Sequence, residues 1–308
     1  MTARPAPVGV IGTGAMGLGV VQALLRAGAG VVARDIDPAA EQRARAAGAR
    51  IADSPAQVAR EAATIVVLVV DDTQVDQVLF GADGIASAGT GERVVLVSST
   101  LDPDYVRALP ARIAGRGVTI VDAPVSGGPA KAAAGTMTMM LAGPGAALAA
   151  IDATIASMTG RRFVVSSRPG DAAATKIVNN LLAGANLAAA GEALALADAL
   201  GLDAAATAEV IGASSGASWI ATDRLPRALD GDYAPRAAAK ILSKDLSIAC
   251  AVAARAGVPD AFAGLAAATF RDAIAAGYGD DDDAAIVRRA RERAAGQRQR
   301  FGGEPSTP

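Results

Sequence analysis

The stretch Val8-Gly9-Val10-Ile11-Gly12-Thr13-Gly14-Ala15-Met16-Gly17 decides the fold. Its opening β-branched residues read as a buried strand, and apolar positions recurring over residues 16–27 read as a helix. Between the two lies Gly-x-Gly-x-x-Gly. Gly12 permits a tight bend, Gly14 lets the backbone come close to a pyrophosphate, and Gly17 lets the helix pack on the sheet. The first helical turn, with Ala15 and Met16, then points its free N–H groups at phosphate. Such a fingerprint is weak alone, but here it sits between a strand pattern and a helix pattern. That context predicts a dinucleotide-binding unit.

Working outward, a second strand pattern at residues 30–33 ends at Arg34 and Asp35. Asp35 stands eighteen residues beyond Gly17, where a carboxylate accepts hydrogen bonds from the adenosine ribose and repels a 2′-phosphate. This favours NAD as cofactor. Arg34 keeps NADP open, because a guanidinium there either pairs with a 2′-phosphate or is simply solvated.

The rhythm continues with apolar β-branched runs at 64–70, 93–97, 118–121, 136–141 and 163–165, alternating with helical patterns at 39–47, 73–79 and 103–113. Alternation of this kind predicts an α/β fold: a doubly wound, mostly parallel Rossmann sheet covered on both faces. After Gly170 the character changes. One helical pattern, with Asp171 read as its cap, runs to residue 200 before Gly201 stops it. It is apolar nearly all round from residue 181, yet Asn186, Glu192 and Asp198 interrupt it, which argues for an interdomain helix over a membrane span. Beyond it, Ala, Leu and Ile recur at helical spacing. The expected organisation is a nucleotide-binding domain at 1–166, an all-α domain at 167–300, and a flexible tail at 301–308 within a polar stretch that begins at Gln297.

At 308 residues and 52% hydrophobic content, the chain is long enough for two cores. A formal net charge of −2 leaves no basic excess for phosphate backbones, so nucleic acid is not an expected partner. The chain has no histidine. Proton transfer must therefore use Lys, Asp, Glu, Tyr or Cys, and the commonest transition-metal ligand is missing. Cys250, the single cysteine, lies among apolar residues and reads as a buried helix position. With no signal or transit pattern at the N-terminus, a cytoplasmic location is expected. The acidic run at 280–283 reads as a solvated turn capping the next helix, and no metal site is expected.

Three further groups carry chemistry. Ser98, Ser99 and Thr100 follow a strand and read either as a helix cap or as ligand-binding hydroxyls. Asp122-Ala123-Pro124-Val125-Ser126-Gly127-Gly128-Pro129 forms a polar turn whose backbone N–H groups suit a carboxylate. On the long helix Lys176 and Asn180 share a face, with Asn179 beside them. A lysine so near an apolar run is either functional or solvated at the surface. Trp219 reads as packing in the helical core or as a pocket wall. Leu68 and Val69, in the run at 64–70, are counted with the cofactor-binding residues.

Together, GTGAMG at 12–17, SST at 98–100, DAPVSGG at 122–128, KIVNN at 176–180 and KDL at 244–246 resemble the β-hydroxyacid dehydrogenase family. That family includes 3-hydroxyisobutyrate and 6-phosphogluconate dehydrogenases. The resemblance spans nearly the whole chain. It implies an NAD(P)-dependent dehydrogenase of a small hydroxy acid, with Lys176 as general acid/base, Ser126, Gly127 and Gly128 on the substrate carboxylate, and Asn180 on the substrate. Lys244 is implied near the nicotinamide and Thr100 near its ribose. The run at 224–235, with Leu79 to Gly81 and Ser218-Trp219, looks most like the branch acting on four-carbon sugar acids such as threonate. Asn179, where 6-phosphogluconate dehydrogenases carry histidine, argues against that substrate. A homodimer or homotetramer is expected. The rival readings are a catalytically silent dinucleotide-binding scaffold and an imine reductase on the same fold, both disfavoured by Lys176.

Overall fold

The computed structural model describes residues 6–300; the tail expected at 301–308 lies outside the described residues. The first half runs β1 (Val8–Ile11), α1 (Ala15–Arg26), β2 (Val31–Arg34), α2 (Pro38–Ala46), β3 (Arg50–Ile51), α3 (Pro55–Glu61), β4 (Thr64–Val67) and α4 (Asp72–Phe80). It continues through β5 (Arg93–Val97), α5 (Pro103–Arg112), β6 (Val118–Asp122), β7 (Val125–Ser126), α6 (Gly128–Ala134), β8 (Met137–Ala142), α7 (Gly145–Ala150), α8 (Asp152–Met158) and β9 (Thr159–Ser166). The rest is helical: α9 (Asp171–Ala199), α10 (Ala204–Ala213), α11 (Trp219–Leu229), α12 (Ala239–Ala256), α13 (Ala261–Ala273) and α14 (Ala285–Arg300).

The strands form one sheet in the order β3-β2-β1-β4-β5-β6-β8-β7, with β9 beside β8. The first six of that order are parallel, whereas β8 runs antiparallel to β6 and β7. The order reverses between β1 and β4, and ligands of such sheets bind at the carboxyl ends flanking that reversal. Register puts the ends in one row: Ile11 pairs with Arg34 and Val67, Val67 with Val97, and Val97 with Asp122. Gly12, Asp35, Leu68 and Ser98 therefore leave the sheet along one edge.

Parallel strands covered on both sides bury both faces, which is why they read as continuous apolar runs. Val10, Val66 and Leu96 pack with Val20, Val21 and Leu24 on one face. Ile11, Val67 and Val97 pack with Val75, Leu79, Val106 and Leu109 on the other. Each such side chain contributes about 1.5–3 kcal/mol of burial free energy.

The short strands β3 and β7 have no counterpart in the sequence reading, and two of the anticipated strands differ in extent by more than one residue. The fourth ends at Val67 rather than residue 70, because Val69 N–H donates to Ser99 Oγ (3.0 Å) and Val70 N–H to Gln74 Oε1 (2.9 Å) instead of to a neighbouring strand. The last runs from Thr159 to Ser166, longer than 163–165, since it pairs with β8 along its length while its side chains stay largely exposed. Exposure erased its apolar signature.

The chain divides into two compact units that meet between Ile177 and Val178, inside α9. The helical unit packs around Leu187, Leu194, Ile220, Leu225, Leu246, Phe270, Ile286 and Val287. Among the described residues one helix, α9, is long and apolar enough to cross a membrane, and half of its most apolar window is buried in the fold. Core helices satisfy that criterion too. Cys250 is half-buried on α12 rather than fully buried. Trp219 opens α11 at 59% exposure, so it is not a core side chain. Helix α14 runs to Arg300, into the polar stretch that begins at Gln297. The acidic run corrects a second expectation: Asp282 and Asp283 are not solvated but buried, and they bind Arg224 and Arg227.

Candidate active site

The glycine turn is built by exclusion of side chains. Gly12 has φ +88°, and a Cβ there would stand 2.4 Å from the Leu68 carbonyl oxygen. A Cβ on Gly17 would meet the Gly12 carbonyl oxygen at 1.8 Å. Gly17 is thus required by the turn itself rather than by packing on the sheet. The closest helix packing belongs to Gly19, whose Cβ would lie 2.7 Å from Ala132 on α6. Among the described residues nothing stands within 4 Å of a Cβ at Gly14, and no side chain caps α1. The N–H groups of Ala15 and Met16 therefore begin a helix whose N-terminus has open space before it. An uncapped helix start beside the sheet's reversal suits a pyrophosphate.

At the end of β2, the Asp35 carboxylate binds the same turn. Its Oδ2 accepts the Thr13 N–H at 2.5 Å and the Thr13 hydroxyl at 3.3 Å, and Oδ1 accepts the Asp37 N–H at 2.9 Å. A carboxylate has about four acceptor positions, so capacity remains for ribose hydroxyls. Arg34 turns its guanidinium to Glu41 on α2 and to the Asp35 carbonyl.

The ends of β4 and β5 are tied together by Ser99, which accepts the Val69 N–H. Ser98 is buried, and its Oγ has no hydrogen-bond partner among the described residues. The cap of α5 is Asp102, which accepts the Asp104 N–H, so the serine pair is not that cap. Thr100 follows at the same edge.

Asp122 ends β6 and does something the sequence reading missed. Its Oδ2 accepts the N–H groups of Gly170 (2.7 Å) and Ala173 (2.9 Å), capping α9 from across the fold. Asp171, expected as the cap, is the first helical residue and instead binds Ser166, Arg168 and Arg107. One turn beyond Ala173 comes Lys176, which is only 7% exposed. Beyond Asp122, Ser126 ends the short strand β7, and Gly127 and Gly128, both with positive φ, open α6.

Burial pushes the Asp122 carboxyl up to about 6, against the opposing pull of the Ala173 and Gly170 N–H groups. From the ordinary value of 3.8 up to about 6, the folded chain holds a proton that the unfolded chain has released. Stability from this group therefore falls as pH rises through that window and is level above it. Asp122→Asn is expected to remove this slope in urea titrations, and Asp122→Ala to lower stability at pH 7 by about 2 kcal/mol through two orphaned N–H groups.

In the helical unit, Asn180 is 7% exposed and donates from Nδ2 to Asp245 Oδ2 at 2.6 Å. Its Oδ1 accepts from Asn179 at 3.0 Å. Asp245, 3% exposed, also lies 2.9 Å from the Lys244 ammonium through Oδ1. The sequence motif KDL thus brings a lysine and an asparagine, 64 residues apart in the chain, onto one carboxylate.

Residues 7–166 match the family model of the NAD binding domain of 6-phosphogluconate dehydrogenase. Residues 170–290 match that of the NAD-binding region of NADP-dependent 3-hydroxyisobutyrate dehydrogenase. The chain is 41% identical over 281 residues to L-threonate dehydrogenase of Cupriavidus necator, covering 91% of this chain and 95% of that protein. It is 35% identical over 282 residues to L-threonate dehydrogenase of Escherichia coli K12, covering 91% and 93%. The crystal structure of 3-hydroxyisobutyrate dehydrogenase from Salmonella typhimurium superposes with a TM-score of 0.84 at 36% identity, over 91% of this chain and 98% of that one. With both halves matched by family models, the chain belongs to the superfamily of 3-hydroxyisobutyrate and 6-phosphogluconate dehydrogenases and is an NAD(P)-dependent oxidoreductase of small hydroxy acids.

Proposed function

We propose that the chain oxidises a four-carbon sugar acid of the threonate type with NAD, and that Lys176 is its general acid/base. The observation that carries this reading is the pair Lys176 and Asn180, both buried and one turn apart on α9. Of the two, lysine is the one that can carry a proton. No histidine is present to take its place.

The glycine turn, Asp35, Leu68, Val69 and Thr100 fit the dinucleotide, and the uncapped start of α1 and the open space at Gly14 support that fit. When bound, the nicotinamide supplies the hydride acceptor. The substrate carbon gives up a hydride, its hydroxyl oxygen releases a proton to Lys176 Nζ, which takes it up as the neutral amine and becomes the ammonium, and a carbonyl forms; reduction is the reverse. Ser126, Gly127 and Gly128 hold the substrate carboxylate, and Asn180 hydrogen-bonds the substrate. Lys244 serves the nicotinamide side. Trp219, being exposed, remains available as a pocket wall.

Asp245 orients two of these groups without needing to touch substrate. Asp245→Ala is expected to raise KM for the hydroxy acid about tenfold, as one buried hydrogen bond to Asn180 is lost, and to weaken NAD by a smaller factor, as Lys244 loses the carboxylate it pairs with. Steady-state kinetics and calorimetry read the two effects separately.

The function is tested by following nicotinamide reduction with threonate, D-erythronate, glycerate and 3-hydroxyisobutyrate, each with NAD and NADP. Turnover led by threonate with NAD supports the reading. Best turnover with 3-hydroxyisobutyrate would move the substrate assignment, and none with any acid would overturn it.

A further inference from the structure

We propose that Glu41 sets the preference for NAD over NADP by neutralising Arg34. The inference rests on the reading that the end of β2 receives the adenosine ribose. Arg34 ends that strand, beside Asp35, and is where a 2′-phosphate would find a partner; Arg43 on α2 faces Asp37 instead, at 3.9 Å. Its guanidinium is already engaged: Nη1 lies 2.5 Å from Glu41 Oε1, and the same nitrogen donates to the Asp35 carbonyl. The pair is well sheltered, with the two side chains 27% and 20% exposed.

Glu41 is fixed in place on its own side. It stands in the first turn of α2, which Asp37 caps through the Ala39 N–H, and Glu41 N–H donates to the Asp37 carbonyl. The same Oε1 also accepts the Asp35 N–H at 3.2 Å. One carboxylate therefore ties together the arginine, the β2 end and the start of α2. A dinucleotide phosphate arriving here would have to displace Glu41 and leave it facing two negative groups, Asp35 and the phosphate. A ribose with free hydroxyls asks for no such displacement. The arginine that the sequence leaves ambiguous is thus removed from the choice by a residue seven positions on.

The test is calorimetric binding of NAD+ and NADP+ to the whole chain, with adenosine 2′,5′-bisphosphate as a third ligand. Glu41→Gln is expected to tighten NADP+ and the bisphosphate about tenfold while NAD+ stays within about twofold, because a guanidinium freed for a phosphate makes a charge-assisted bond. Glu41→Gln combined with Arg34→Ala is expected to abolish that gain. Arg34→Ala alone is expected to leave NADP+ affinity within about twofold of the parent, since the guanidinium is neutralised already. An unchanged NADP+ to NAD+ ratio in Glu41→Gln, or marked weakening of NADP+ in Arg34→Ala alone, would overturn the proposal. If the parent binds neither dinucleotide, it is the ribose-site reading that fails.

Discussion

Replacing Lys176 by alanine is expected to lower kcat for hydroxy-acid oxidation by about 10²–10⁴-fold, the usual range for loss of a general base, while NAD affinity stays near that of the parent. The expectation comes from the proposed contact of Lys176 with the reacting hydroxyl, a place the other lysine of the site, Lys244, does not take because it pairs with Asp245 on the nicotinamide side. The chain holds no histidine. Asn180, the buried side chain one turn further along α9, cannot accept a proton at neutral pH. Lys176→Arg is the sharper variant. It keeps the charge and much of the bulk, but a guanidinium does not release its proton in the working range, so activity is expected to stay low. If Lys176 only held α9 in place, arginine would restore much of the rate and alanine would lower the melting temperature in proportion to activity. Recovery of turnover in Lys176→Ala by added methylamine would tie the loss to the missing amine. Activity of the alanine variant within a few fold of the parent would sink the assignment.

What was legible in the sequence was what is local. The fingerprint at 12–17, the apolar runs of β1, β2 and β5, and the long helix depend on neighbours within a few residues, and they form where their patterns stand. The row of residues at the sheet's carboxyl edge follows from strand ends plus a parallel order. What was hidden depends on partners far along the chain. Asp122 reaches α9 across 51 residues, and Asp245 reaches Asn180 across 65. Each looks in sequence like an ordinary acidic residue inside a motif, with nothing to show which N–H groups it will meet. Short elements such as β3, β7 and α6 carry too few residues for a period to emerge. The run at 280–283 misled for a related reason: consecutive carboxylates suggest water, unless arginines from another helix arrive to neutralise them.

Those arginines carry the second large effect. Arg224→Ala is expected to destabilise the chain by about 3–5 kcal/mol, the range for leaving one member of a buried ion pair without its partner. Arg224 is 8% exposed and binds Asp283, itself 3% exposed, and it lies 3.5 Å from Asp282. Asp282 is better provided. Its oxygens accept the N–H groups of Arg236, Ala237 and Ala284 and the guanidinium of Arg227 at 2.9 Å. Burial pushes the Asp282 carboxyl up, but those donors outweigh it and hold it below the ordinary range. Asp283 has mainly Arg224, and burial pushes it up to about 6. The two acids therefore respond to pH in opposite senses. Asp282 contributes stability that is present above its unfolded value and lost as pH falls through its depressed one. Asp283 takes up a proton on folding between 3.8 and about 6, so its contribution declines as pH rises across that interval. Without Arg224 an ionised Asp283 has no compensating charge, whereas a protonated one is tolerable. The deficit of Arg224→Ala, measured by urea denaturation, should accordingly be larger at pH 8 than at pH 5. Arg224→Met with Asp283→Leu should recover most of it, because an apolar pair of similar volume avoids desolvating either charge. A deficit that stays constant with pH and persists in the double variant would mean that Arg224 acts through packing alone.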